Sequence, residues 1–122
     1  GCLLGVMLAN VFFEHDILEL STKNRDGFHI FLSEIIATFG LIFIIFATLK
    51  DGKITIAASV ATYIMAGYWF TSSTSFANPA VAIARTFTDS FTGINYLNTP
   101  TYILAEFLGA LIAVYFIKKL IK

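Results

Sequence analysis

Residues 75–91, SFANPAVAIARTFTDSF, place an Asn-Pro pair, an arginine and an aspartate between two long apolar runs. Asn78 suits a helix start, because its side chain can cap the first free N–H groups, and Pro79 at the first helical position lacks the N–H that would go unbonded. From Pro79 to Asp89 the residues predict a helix of about ten residues, or roughly 15 Å, which is half the hydrocarbon thickness of a bilayer. If residues 75–77 descend from one surface and the helix climbs back to Thr92 and Gly93, Asn78 lies near the midplane. Irregular backbone survives at that depth only where it is packed in protein or lines a wet cavity. The stretch is therefore read as a pore element.

The surrounding chain supports a bilayer setting. Of its 122 residues, 57% are hydrophobic and 13% charged, and its mean hydropathy is +0.80; soluble domains carry roughly a quarter charged residues. Residues 30–49 hold a single charge, Glu34, and are long enough to cross. The polar turn Lys50-Asp51-Gly52-Lys53 leads to a second span, 54–74, whose far end carries Tyr68 and Trp69 as an interfacial belt would. A third, 100–118, begins at Pro100 and is followed by Lys119 and Lys122. Alternation is absent and the runs are too long for strands, so the expected class is an all-α membrane protein.

Lys50, Lys53, Lys118, Lys119 and Lys122 fall on one side, against Lys23 and Arg25 in the loop 14–29. The positive-inside rule then places the C-terminus in the cytoplasm and loop 14–29 outside, in a plasma (inner) membrane. Residues 75–99 leave and return on the outer side. Residues 1–13 are too short to span and read as the end of an earlier span; Gly1, Gly5 and Ala9 are spaced for close helix packing. Without an initiator methionine or a basic leader, the chain is expected to be part of a longer one. LGVMLANVFF (4–13) matches LGALIAVYFI (108–117) at Leu, Gly, Ala and Phe in register, a hint of an internal repeat.

Asn78-Pro79-Ala80, following a span that ends in small and hydroxyl residues, resembles the second signature loop of the aquaporin and aquaglyceroporin family (major intrinsic proteins). SEIIATFG, with Glu34, resembles that family's fourth span, and AEFLGALIAV its sixth. The likeness covers nearly the whole chain. It implies the end of span 3, spans 4 and 5, a re-entrant half-helix over 75–99, and span 6 of a six-span channel with two inverted halves, assembled as a homotetramer. Glu34 would then anchor the re-entrant loop by accepting its backbone N–H groups. Two facing helix N-termini would repel protons and other cations, while the Asn78 amide donates to a passing hydroxyl.

Most family members carry an arginine directly after the triplet; here that position is Val81. Matching the other filter positions by distance from the triplet gives Ala66 and Ser75. A ring of Ala66, Ser75 and Val81 lacks a rigid donor fork and gains width and apolar surface. The resemblance with this departure implies a permissive filter, suited to water and to neutral solutes such as glycerol, urea or metalloid acids; NPAVAIAR also looks like a bacterial subgroup associated with arsenic handling. A strict water channel is the alternative within the class, and a broken-helix secondary transporter the alternative outside it.

Arg85 admits two readings: a displaced cation guarding the vestibule, or a partner of Asp89 at the next i,i+4 step or of the lipid headgroup zone. Glu106 is read as a packing or interface residue, and His15 and His29 as members of a solvated loop, since their spacing fits no metal-ligand motif. No nucleophile–base pairing or phosphate-cradling glycine loop appears, so no catalytic residues and no cofactor are assigned, and a formal net charge of zero gives no reason to expect nucleic acid.

Overall fold

The computed structural model describes residues 1–120. Lys122, counted above among the C-terminal lysines, lies outside them. Among the described residues the chain is helical with no strand: α1 (Cys2–Phe12), α2 (Phe28–Thr48), α3 (Lys53–Phe70), α4 (Pro79–Ala84) and α5 (Thr99–Leu120), with a 3-10 turn at Arg85–Phe87. Gly27 and Gly52 precede α2 and α3 at φ of 105° and 91°, a region that other L-residues enter only with strain, so each start is marked by the residue that tolerates it.

α2 and α5 are both long and apolar enough to cross a membrane, with mean hydropathies of 2.4 and 1.7. A core helix of a soluble protein would be mostly buried, whereas only 22% and 33% of these two stretches are. Their apolar surfaces face outward, as do Trp69, Phe13 and Ile54. The interior holds the reverse: Glu34, Glu106, Asn10 and Ser73 are all buried. Polar groups inside and apolar groups outside is the arrangement that a hydrocarbon solvent selects.

α2 and α5 lie side by side and run in the same direction. Arg25, just before α2, donates its backbone N–H to Asn98, just before α5; farther along, Phe39 meets Phe116 edge to face, and Phe46 lies beside Leu120 near the far ends. The two helices touch through backbone at Gly109, where an added Cβ would collide with the Ile35 carbonyl. Gly109→Val is expected to force α5 off α2 and destabilise the protein by about 1–3 kcal/mol, the usual cost of overpacking. Thermal unfolding of the purified protein in detergent reads this directly, and an unshifted transition would show that the contact tolerates bulk.

α3 returns along α2, held where the Tyr63 hydroxyl donates to the Ile36 and Ala37 carbonyls at 3.2 and 3.0 Å. It stops at Phe70 rather than continuing to residue 74. Thr71 is extended, and its hydroxyl turns back to the Gly67 carbonyl at 2.6 Å. The helix after Pro79 is likewise shorter than the ten residues expected: six α-helical residues, then a 3-10 turn ending at Phe87, with Thr88 extended. Segment 14–27 lies alongside 86–98, joined by Ser21 N–H to Thr86 C=O and Asn95 N–H to Lys23 C=O, and α1 reaches the same stretch through Asn10 Nδ2 to Phe87 C=O. Gly5 and Ala9 of α1 line a cavity with Val81, Ala84 and Arg85, and no described atom lies within 4 Å of where a Cβ would sit on Gly1 or Gly5.

Candidate functional site

Between α3 and α4 the backbone is bent by three non-glycine residues in the left-handed region: Thr74 (φ 67°), Ser75 (φ 54°) and Ala77 (φ 50°). Such conformations are strained, most of all for a β-branched threonine, and persist only where neighbours over-determine them. Here the neighbours are charged. Arg25 Nη1 donates to the Ser73 carbonyl and the Thr74 hydroxyl, at 3.3 and 3.1 Å, while Nη2 donates to the Phe91 carbonyl at 2.7 Å. Beyond the bend, three consecutive N–H groups turn toward two buried carboxyls. Phe76 N–H donates to Glu34 Oε1 at 2.9 Å, Ala77 N–H to Glu34 Oε2 at 2.8 Å, and Asn78 N–H to Glu106 Oε1 at 3.0 Å.

Asn78 itself is extended (φ −161°, ψ 119°) and caps α4, its Oδ1 accepting the Ala80 N–H at 2.9 Å with Pro79 at the first helical position. With Oδ1 occupied, the Nδ2 donors of this exposed residue make no hydrogen bond among the described residues. They border a cavity of about 290 Å³ lined by Leu41, Tyr68, Ser75, Asn78, Val81 and Arg85, among others. Val81 packs on the small core of Ile30, Phe76, Ala82, Ile94 and Tyr102. Phe76 and Tyr102 approach to 5.0 Å between ring centroids, so the loop is seated by packing as well as by hydrogen bonds.

Of the residues singled out by sequence, Ser75, Asn78, Val81 and Arg85 thus share one cavity, while Ala66 does not line it. Ala66 is exposed on α3, next to Gly67, whose backbone abuts Ser75. Pro79 and Ala80 form the first turn of α4 and do not line the cavity. Arg85 is not the partner of Asp89. Its Nη1 donates to the Thr92 hydroxyl and its guanidinium lies 5.9 Å from the Phe76 ring centroid. Asp89 turns instead to segment 14–27, accepting from Thr22 N–H at 2.8 Å and from the Thr22 and Ser21 hydroxyls. The Thr22 backbone N–H, with these hydroxyls, holds the Asp89 carboxyl below its usual range.

The sequence reading gave Glu106 a packing or interface role. It is 1% exposed and holds the backbone of the residue that heads the motif. The signal was present: an ionisable side chain within an apolar helix needs a partner, by the same rule that singled out Glu34. His15 contacts Glu19, which also accepts the Asp89 N–H, so it belongs to the packing between 14–27 and 86–98.

Comparison with known proteins finds an aquaglyceroporin, AqpS of Rhizobium meliloti (strain 1021), that is 45% identical over 113 residues. The alignment covers 93% of this chain and 48% of the relative, so the chain spans about half the length of the curated protein it matches. No protein-family model and no solved structure matches it.

Proposed function

The chain belongs to the aquaporin and aquaglyceroporin family, and from that membership we propose that it is the C-terminal half of a passive transmembrane channel for water and small neutral solutes. The observation that carries the reading is the seating of Asn78: two carboxyls from two helices take three successive N–H groups and leave the Asn78 amide facing a cavity. An uncharged solute that sheds water in such a passage regains a hydrogen bond from Nδ2.

In this reading residues 75–99 are a re-entrant element, entering beside the start of α2 and returning to the same end, and α2, α3 and α5 are spans 4, 5 and 6. The other inverted half supplies the opposing Asn-Pro-Ala loop. Loop 14–29 faces outward, the C-terminus is cytoplasmic, and four copies assemble in the bilayer. Val81 beside Asn78, with Ser75 and Ala66 as the other filter positions, makes the constriction wide and apolar enough for glycerol, urea or a metalloid acid such as arsenous acid. Support for this comes from the cavity's lining, in which Arg85 is the one cation and is engaged by Thr92.

The full-length protein reconstituted into vesicles is expected to pass water and at least one of these solutes without saturation or ion coupling, as read by stopped-flow light scattering. Saturable, ion-driven uptake would replace the channel by a transporter. Water flux with every larger solute excluded would overturn the permissive filter.

A further inference from the structure

Glu106 Oε1 accepts the Asn78 N–H, but Glu106 Oε2 is buried with no hydrogen-bond partner. Across from it, both oxygens of Glu34 are already used by Phe76 and Ala77, and the two carboxyls are neighbours because the N–H groups they accept are consecutive on one backbone. Among the described residues no cation neutralises the pair. The guanidinium of Arg25 is spent on Ser73, Thr74 and Phe91, and that of Arg85 on Thr92. The other titratable groups nearby are the Tyr63 hydroxyl, which donates to Ile36 and Ala37, and the buried Tyr102 hydroxyl. Two ionised carboxylates in contact in a low-dielectric interior repel strongly, and such pairs retain a proton between them.

We propose that Glu106 is a second positioning residue for Asn78, and that Glu34 and Glu106 hold one proton between them, carried on Glu106 Oε2 and donated to Glu34. This turns the orphaned acceptor into a donor and leaves one negative charge facing three N–H groups. Asn78 is then located by both α2 and α5, so the close approach of these helices at Gly109, one turn beyond Glu106, sets the orientation of its amide. Glutamine can reproduce both roles, with Oε1 accepting from Asn78 and Nε2 donating to Glu34; leucine can reproduce neither.

The effect on flux rests on the channel reading, whereas the protonation state does not, so the test uses two independent readouts on the full-length protein. Infrared spectra at neutral pH are expected to contain the carbonyl stretch of a buried protonated carboxylic acid, shifted in D2O and missing from Glu106→Gln. In vesicles, Glu106→Leu should lower solute flux by about tenfold, the factor matching one unsatisfied buried N–H, while Glu106→Gln stays near the parent. A parent without the carboxylic acid band, or a glutamine variant as impaired as the leucine one, would overturn the shared proton. If no variant or parent conducts, the channel reading fails while the infrared band still reports on the carboxyl pair.

Discussion

Glu34→Leu is expected to abolish solute flux and to lower the melting temperature sharply. The substitution leaves the Phe76 and Ala77 N–H groups facing an apolar side chain. At about 1–3 kcal/mol for each buried donor left unpaired, the loss is large beside a total stability of about 5–15 kcal/mol. The strained residues make it worse. Thr74, Ser75 and Ala77 hold positive φ because their surroundings compel it, and without Glu34 they can relax to ordinary conformations, taking Asn78 out of the cavity. Glu34→Gln keeps one acceptor oxygen and should fall between leucine and parent. Melting in detergent and flux in vesicles report the two effects separately; a leucine variant that melts and conducts like the parent would remove the anchoring role from Glu34.

Val81→Arg is expected to slow larger neutral solutes more than water. Val81 lines the same cavity as Asn78, Ser75 and Arg85, so a guanidinium there adds bulk where a polyol or metalloid acid must pass and donors that suit water. Glycerol, urea and arsenous acid fluxes should drop on the order of tenfold, equivalent to about 1.4 kcal/mol of added barrier, with the smaller water molecule slowed by a lesser factor. Arg85→Ala is the control. If Arg85 already serves as the constricting cation, its removal should raise solute flux and Val81→Arg should change little. Equal slowing of water and solutes by Val81→Arg would mean that the arginine blocks the passage without selecting within it.

Membership of the family and an all-helical chain could be read from the residues alone, because both rest on local chemistry. The apolar run of α2 is as long as a bilayer is thick, and Asn-Pro at 78–79 caps a helix wherever it is placed. Glu34 stood out for the same reason, as a lone charge in such a run. Contacts between residues far apart in sequence were not legible. Glu106 meets a backbone 28 positions away only because α5 lies against α2 at Gly109 and the loop is folded between them. Arg25, counted from the sequence only among the charges of loop 14–29, spans 48 positions to hold the Ser73 carbonyl. Arg85 and Asp89 sit four apart, which in a continued helix would pair them, but the helix gives way to a 3-10 turn and then to extended backbone, and each finds a different partner. Helix spacing holds only as far as the helix does, and α4 ends at Ala84 because the chain there is packed against segment 14–27, whose Ser21 N–H takes the Thr86 carbonyl.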